Sequence, residues 1–445
     1  MGYRQALILV LAATAIAADS ESEEVLKRAA KKVSENYSSI RSYTCMETIE
    51  RDYYRPRAAT LPRECPVLMK QRQNPTPDMI LLLWSRDRLR LEVATSRLGE
   101  IQSWPGASRF SDEGIDALVR EGPIGTGAFG TLLRVIFVED VKNFGLAGET
   151  ILEGRRRFVY TFAVPASESH YRVKAVDNSS WLTVGYEGVL YLDAETADPI
   201  QLKVVMNDLP LASGACQAGS SLTFSRTASS GQDILIPAVA RQTFISPTGR
   251  ETRNTMTFSN CRQYSVDSTV SYYSAFDDTP AGRRAMKPLE PGIPDLLPFS
   301  MELLTPLDSD TAAAGDRFVA RLAAPLREGK RLIAPKGAII EGRVSDVDLG
   351  FHPAKTVAFG LIPESLEIGG AKVPLVARLD FSPRIVAKEL RRRKGLEFFL
   401  PPPGEYAHEF RFDGGHVVLR KGFVSEWLTA APWQSRMITS ADRRH

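Results

Sequence analysis

The feature that most constrains this chain is a two-residue alternation of apolar and polar side chains. In "RLRLEVA" the apolar residues Leu89, Leu91 and Val93 alternate with charged ones, and "FVYTFAV" and "IQLKVVM" repeat the pattern. Successive side chains of a β-strand point to opposite faces, so this period predicts strands with one buried face. Short turns such as "DAETADP" and "SPTGR" leave no room for crossover helices between most strands. The sequence therefore predicts an antiparallel meander.

One amphipathic helix is expected before the strands, over residues 20–41. Ser20 and Glu23 have the spacing of a capping box. The apolar residues that recur at three- and four-residue steps on one face are Leu26, Ala29, Val33, Tyr37 and Ile40. Further strands are expected near residues 43–54, 171–175, 181–192, 221–226, 238–245, 254–259 and 263–273.

The N-terminus predicts export. Arg4 precedes an apolar or small run from Ala6 to Ala17, which ends in a small-x-small pattern before Ala18. These are the parts of a secretory signal peptide. The run is too short to cross a bilayer core, which takes about 20 helical residues. We therefore expect residues 1–18 to be a signal peptide, and the mature chain to be periplasmic or extracellular with no transmembrane span.

Five prolines between Pro280 and Pro298 predict a linker, because proline blocks both helical and ladder hydrogen bonds. The expected organisation is a first domain over 19–276, a linker over 277–297, a small β-barrel domain over 298–430 and a tail over 431–445. The formal net charge is +3, from 56 basic and 53 acidic residues. Nucleic-acid binding usually leaves a larger basic excess, so no nucleic-acid partner is expected.

All four cysteines precede the linker: Cys45, Cys65, Cys216 and Cys261. In an exported chain they predict two disulfides, and no C-x-x-C pair points to a metal. Cys45 lies in the first predicted strand and Cys261 near the last. Four cysteines allow three pairings, between which the sequence does not choose. We favour Cys45–Cys261 with Cys65–Cys216.

The stretch "GPIGTGAFGTLLRVIF" has Gly125, Gly127 and Gly130 in the G-x-G-x-x-G spacing of phosphate-binding loops. A dinucleotide loop needs a strand before it and a helix after it, but the preceding "SDEGIDALVRE" is expected to be helical. No other kinase motif follows. We interpret the loop as a turn between helices whose glycines permit close packing. No nucleotide or other cofactor is expected.

Other candidate chemistry is sparse. His408, Glu409 and His416 flank one predicted hairpin and would suit zinc, but a third firm ligand is missing, so surface histidines are expected. The stretch "LDSDTAAAGD" lacks the EF-hand pattern and predicts a turn with capped carboxylates. A carboxylate pair for glycoside hydrolysis stays open, because such pairs meet only in space. The basic runs Arg155–Arg157 and Arg391–Lys394 predict solvated faces or, alternatively, contacts with anionic headgroups or an acidic partner.

Residues from about Ser22 to Tyr273 resemble the lipoprotein-carrier superfamily of bacterial envelopes. The resemblance lies in "VLKRAAKKVSENYSSIRSYTCMETIER" and "GYEGVLYLDAETADPIQLKV". It implies an open, curved antiparallel sheet with helices plugging its concave side, where acyl chains are held or partners bind. "SYTCMETIERDYY" and "FSNCRQY" also resemble an uncharacterised exported family of soil bacteria. The stretch from Pro306 to Val344 resembles the barrel of the channel-lining subunit of type IV secretion machines, which implies a small β-barrel.

The predicted fold is mainly β with a few helices, namely a curved antiparallel half-barrel with plugging helices followed by a smaller β-barrel domain. The predicted function is non-catalytic binding of a lipid, an acyl chain or an envelope partner in the half-barrel cavity. The alternatives are a scaffold component of an envelope complex and a secreted hydrolase with a dispersed carboxylate site. No catalytic or metal-binding residue is expected. The predicted cavity-lining residues are Leu89, Leu91, Val93, Phe158, Tyr160, Phe162, Ile200, Leu202 and Val204.

Overall fold

The computed structural model describes residues 3–41, 43–58, 63–96, 99–107, 110, 115–119, 122–142, 144–176, 180–207, 209–229, 232–263, 293–380 and 408–430. The chain forms two compact units, one of residues 1–83 and 91–267 and one of residues 84–90 and 268–445. Most of the predicted linker, the expected strand beyond residue 263 and the basic run Arg391–Lys394 lie outside the described residues.

Helix α1 spans Tyr3–Ile40 without interruption. The sequence-based start at Ser20 is therefore wrong for this chain. The reason is that the run before it is rich in alanine, leucine and isoleucine and contains no glycine or proline. Between residues 20 and 40, the buried residues of the helix are Ser22, Val25, Ala29, Val33 and Ile40. No helix among the described residues is long and apolar enough to cross a bilayer.

The other helical segments of the first unit are short. They are α2 (Cys65–Gln73), α3 (Ile115–Leu118) and α4 (Thr131–Arg134), with 3₁₀ turns at Pro77–Met79 and Leu211–Ser213. α4 continues directly into a π-helical segment, Val135–Asp140. α1 contacts both α4 and this segment. We call α1 together with the segment 122–144 the plug.

The first unit is built on one large antiparallel sheet. Its strands, with a separate β6–β7 hairpin, are β1 (Tyr43–Pro56), β2 (Leu81–Ser96), β3 (Gly99–Ser103), β4 (Gly145–Leu152), β5 (Arg155–Val164), β6 (Arg172–Lys174), β7 (Trp181–Thr183), β8 (Tyr186–Asp193), β9 (Pro199–Met206), β10 (Gln217–Ser229), β11 (Gln232–Ile245) and β12 (Glu251–Gln263). The order is β3–β2–β1–β12–β11–β10–β9–β8–β5–β4. The sheet is not closed, and the prediction of a mainly β fold with a curved half-barrel is confirmed.

The second unit is also antiparallel. Its strands are β13 (Pro298–Leu303), β14 (Leu307–Asp308), β15 (Arg317–Leu322), β16 (Leu326–Glu328), β17 (Arg331–Ala334), β18 (Ile339–Gly350), β19 (Thr356–Ile368), β20 (Ala371–Pro374), β21 (Ala377–Leu379), β22 (Glu409–Asp413), β23 (Val418–Leu419) and β24 (Val424–Thr429). The main order is β22–β19–β18–β15–β13–β24–β21. Residues 84–90 of β2 belong to this unit, where Asp87 pairs with Asp348 of β18. Trp427, Phe318 and Phe359 are the largest side chains of its core that are at most 1% exposed.

Two disulfides fix the first unit. Cys45–Cys261 joins β1 to β12, and Cys65–Cys216 joins the start of α2 to the residue before β10. This is the pairing that we favour from the sequence among the three possible ones. Both bridges attach to the sheet, so they restrain its strands and α2, and neither of them involves α1.

Candidate functional site

A row of buried apolar side chains crosses seven strands of the first unit. Tyr160 pairs with Leu190 and Leu190 with Leu202, and the register continues strand by strand to Ile49. Directly paired residues lie on the same face of a sheet. Each member is at most 2% exposed. The row consists of Tyr160, Leu190, Leu202, Leu222, Ala240, Met256 and Ile49, and it forms a continuous apolar inner face.

Most of the predicted cavity-lining residues lie buried in this unit. They are Leu91, Val93, Phe158, Tyr160, Phe162, Leu202 and Val204. Ile200 is only half-buried, because the β8–β9 register shifts beside it between Tyr191 and Leu192. Leu89 belongs to the second unit, where it bridges to Ala314. Its prediction as a lining residue of the half-barrel is corrected, since the first part of β2 pairs with β18 and not within the half-barrel.

Aromatic side chains of the plug pack on the inner face at β5. Phe137 contacts Phe144 at a centroid distance of 5.4 Å, and Phe144 contacts Phe162 at 5.5 Å and Tyr160 at 6.4 Å. Gly188 of β8 makes room for Phe162, because a Cβ at that position would lie 2.3 Å from the Phe162 ring. The apolar inner face is thus covered here by the plug.

Polar contacts attach α1 to the sheet. The Tyr160 hydroxyl donates to the Ser22 carbonyl at 2.7 Å. Asn36 makes two 2.8 Å hydrogen bonds with the backbone of Leu235 in β11. Lys32 contacts Asp198 at 3.0 Å, and this aspartate also accepts two hydrogen bonds from Arg226, at 2.7 and 2.8 Å. Burial alone would raise the pKa of Asp198, but the hydrogen bonds from Arg226 and Lys32 outweigh it and lower that pKa.

The C-terminal end of the π-helical segment is attached in the same way. The carboxylate of Asp140 is buried and accepts a 2.6 Å hydrogen bond from the Tyr186 hydroxyl of β8. It also accepts a 3.1 Å hydrogen bond from the backbone N–H of His170, and the His170 ring lies against it. Burial and the neighbouring Asp140 raise the pKa of Tyr186. This tyrosine therefore stays protonated and remains a hydrogen-bond donor to the plug.

The glycine-rich loop binds a carboxylate of its own chain. Glu100 of β3 accepts hydrogen bonds from the backbone N–H groups of Gly127 at 2.7 Å, Gly130 at 3.0 Å and Thr131 at 3.3 Å. Converging backbone N–H groups form an anion-binding concavity, as they do in phosphate loops. Gly127 has a φ of +99°, which favours glycine. Burial raises the pKa of Glu100, and the hydrogen bonds from these backbone N–H groups act in the opposite direction. The N–H groups of the loop therefore bind a carboxyl group of the same chain.

Two polar side chains of the sheet hold the start of the same loop. Gln242 exchanges two hydrogen bonds with the backbone of Gly125, at 3.0 and 3.1 Å, and Asn254 donates to the Pro123 carbonyl at 3.0 Å. A Cβ on Gly125 would lie 2.7 Å from the Gln242 amide nitrogen, so a larger residue there would displace the Gln242 amide and its hydrogen bonds. Sequence reasoning missed Glu100, Gln242 and Asn254 as parts of this site.

Replacing Glu100 with alanine is expected to destabilise the first unit by about 3 kcal/mol, because three enclosed N–H groups lose their acceptor. Hydrogen exchange at the amides of Gly127, Gly130 and Thr131 should accelerate more than the exchange of the β-sheet amides. Glu139→Ala, which removes a partly exposed partner of Arg134, is the control and should cost less than about 1 kcal/mol. Loop amides that remain protected in Glu100→Ala would contradict the assigned role.

Glu47 is a second buried carboxyl group near Glu100. It lies on the inner face of β1, is 3% exposed, and its Oε2 has no hydrogen-bond partner among the described residues. Burial first, and then the charge of Glu100, raise the pKa of Glu47 to about 8. Glu47 is therefore mostly protonated at neutral pH.

The predicted basic run Arg155–Arg157 borders a polar cleft of about 410 Å³ in the first unit. Arg156 forms ion pairs with Glu21 of α1 and Glu149 of β4, and Arg155 lies 3.7 Å from Asp193. The cleft is lined by Glu21, Gly154, Arg155, Arg156, Asp193, Ala194 and Glu195. The run thus meets acids of the same chain and adds to the polar attachment of α1.

Among the described residues, one group of side chains could hold a metal ion. It consists of Asp308, Asp310 and His416, whose potential ligand atoms lie within 4.8 Å of one another. They are largely exposed, and the turn at Asp308 is capped by the Asp310 N–H at 2.8 Å, which with His416 lowers the pKa of Asp308. The zinc set considered from the sequence does not form. His408 stacks on Trp427, and Glu409 pairs with Arg411.

No protein-family model matches this sequence, and no curated protein matches it significantly. Among solved structures, the chain is similar to a LolA superfamily protein from Nitrosomonas europaea, at 12% identity over 55% of this chain and 97% of that one, with a TM-score of 0.27. It is also similar to a DUF1329 family protein from Desulfovibrio piger, at 12% identity over 56% and 97% of the two chains, with a TM-score of 0.26. At these values no function is transferred from either structure. The comparisons do not support the type IV secretion resemblance of the C-terminal stretch.

Proposed function

We propose that this protein is exported and non-catalytic, and that it holds a hydrophobic ligand of the acyl-chain or lipid class between the half-barrel sheet and the plug. The observation that carries the proposal is the uninterrupted apolar row from Tyr160 to Ile49 across seven strands. Burial of an acyl chain on such a surface contributes about 0.8 kcal/mol of binding free energy per methylene. A sheet that is not closed leaves one side for such a chain to enter.

The plug is the element that would move to admit a ligand. The sheet is held by continuous ladders and by two disulfides, of which Cys45–Cys261 joins neighbouring strands. The plug contains no disulfide; apolar side chains such as Ile40 pack it on the sheet, and hydrogen bonds and ion pairs attach it through Asn36, Lys32, Asp140 and Glu100. Water replaces such contacts at a net cost of about 0.5–1.5 kcal/mol each. Local opening of the plug therefore costs less than opening of the sheet.

An acyl chain would take the place of the plug's aromatic contacts. Phe144, which packs on Phe137, presents apolar surface to Tyr160 and Phe162, so a bound chain exchanges one apolar contact for another. The cost of ligand entry is then mainly the loss of the polar attachments, which solvent partly restores. The buried polar contacts at Gly125 and Gly127 give a means to observe this exchange.

The test is a titration of the mature protein with a fluorescently labelled fatty acid, together with hydrogen exchange at single-residue resolution. We expect saturable binding at a 1:1 ratio and a roughly tenfold loss of protection at the amides of Gly127, Gly130 and Thr131, because ligand entry opens the plug. Amides of β18 and β19 in the second unit serve as the internal control and should not change. Absence of saturable binding would contradict the proposed function, and binding with an unchanged loop would contradict the role of the plug.

A further inference from the structure

Three large apolar side chains are exposed around the β6–β7 hairpin of the first unit. Trp181 is 56% exposed, Val176 71% and Leu211 82%. The backbone N–H of Val176 donates to the Ala212 carbonyl at 2.9 Å, which joins the end of β6 to the turn that carries Leu211. A Cβ on Gly214 would lie 2.4 Å from Cγ2 of Val176, so this valine sits directly over that turn. Val176 and Leu211 therefore lie close together, and Trp181 is adjacent to Val176 in the hairpin, where the Ala175 N–H donates to the Ser180 carbonyl at 3.0 Å.

Two cations flank the exposed indole. In the hairpin register Lys174 pairs with Trp181 and Arg172 with Thr183, so these four residues share one face. The Arg172 guanidinium carbon and the Lys174 Nζ each lie 5.6 Å from the centre of the Trp181 ring. The opposite face carries Val173 and Leu182, which are partly buried. We call Arg172, Lys174, Val176, Trp181 and Leu211 the Trp181 patch.

The composition of the patch fits a bilayer surface better than a protein partner. Tryptophan has an apolar body and a polar N–H, and it concentrates at the boundary between hydrocarbon and headgroups. Lysine and arginine beside such a group reach the phosphates of anionic lipids. A stable protein interface buries about 800 Å² on each partner, whereas this patch consists of a few side chains at a hairpin and a turn. Shallow insertion needs only such a set.

We propose that the Trp181 patch docks the protein on an anionic lipid bilayer. Trp181, Val176 and Leu211 enter the interfacial layer, and Arg172 and Lys174 contact lipid phosphates. This surface contact is separate from ligand binding between the sheet and the plug. It gives the protein a place from which a hydrophobic ligand is taken up or to which it is delivered.

The test is co-sedimentation of the full mature protein with vesicles of phosphatidylglycerol and phosphatidylethanolamine, and with vesicles of phosphatidylcholine alone. Trp181→Ala and Leu211→Ser should each weaken binding to the anionic vesicles about tenfold, in line with the loss of one buried apolar side chain. Arg172→Gln and Lys174→Gln should each weaken it about fivefold and reduce its salt dependence. Leu332→Ser, at a half-exposed leucine of the second unit, is the matched control and should leave binding unchanged.

Sedimentation only with anionic vesicles, lost in the Trp181→Ala/Leu211→Ser double variant, would support the proposal. Absence of binding at low salt, equal binding to neutral vesicles, or full binding by the double variant would overturn it. Urea unfolding of each variant checks that the fold is intact. The fatty-acid titration should be unchanged in these variants, so failure of membrane docking is distinguishable from failure of ligand binding.

Discussion

Replacing Cys45 and Cys261 together with alanine is expected to lower the free energy of unfolding by about 5 kcal/mol. The bridge joins residues that are 216 positions apart, and in the chain-entropy model a loop of this length costs the unfolded chain that much freedom. The loss is comparable to the whole stability of many domains, about 5–15 kcal/mol. This is one of the two largest changes in stability that we expect from substitutions in this protein.

Urea unfolding followed by circular dichroism, with and without a reductant, measures this effect. The Cys65→Ala/Cys216→Ala variant is the natural comparison, because its bridge spans 151 positions and the entropic cost differs little. We expect the free energies of unfolding of the two double variants to agree within about 1 kcal/mol. A loss below about 2 kcal/mol for Cys45 and Cys261 would contradict the chain-entropy account of this bridge.

Replacing Glu47 with glutamine is expected to flatten the dependence of stability on pH. The pKa of Glu47 rises from 4.5 in the unfolded chain to about 8 in the folded one, so the folded state binds more protons between these values. The contribution of Glu47 to wild-type stability should therefore be highest near and below pH 4.5, fall as the pH rises towards 8, and level off above pH 8. The total change is on the order of a few kcal/mol.

Unfolding free energies at half-unit steps from pH 5 to pH 9 test this expectation. Glu47→Gln should lose most of the downward slope and be more stable than the wild type at pH 8. Glu50→Gln is a matched control, because Glu50 lies on the same strand at a position of opposite parity and is only half-buried. It should retain the wild-type slope. A slope that survives in Glu47→Gln would assign the titration to another group.

Much of the sheet follows from local patterning. Alternation places Tyr160, Leu202 and Val204 on the buried face, and each is at most 2% exposed. The pattern fails for Ile200 because a register shift in β8–β9 interrupts the alternation beside it. Leu89 is buried as the pattern predicts, but in the second unit, because the start of β2 pairs with a strand more than two hundred residues later. Local period does not determine such long-range pairing.

The polar part of the site was only partly accessible from sequence. Gln242 and Asn254 lie two residues from Ala240 and Met256 of the buried row, so they point to the same inner face. A polar residue at a position where the alternation predicts an apolar one could have indicated them from the sequence. Glu100 gave no such signal. It lies 27 residues before Gly127, and only the fold brings its carboxylate to the loop. The sequence interpretation took the glycine loop as a turn that permits close packing, and the glycine spacing does not reveal that the loop binds Glu100.

The most direct test of the proposed function is native mass spectrometry of the mature protein, purified gently from a cell-envelope fraction and then extracted with organic solvent. We expect a bound apolar molecule at a 1:1 ratio, of lipid or fatty-acid mass, that leaves with the solvent. It also predicts that the emptied protein binds the labelled fatty acid. Protein that carries no such molecule and binds no acyl chain after extraction would contradict the account, and the inner face would then be packed core alone.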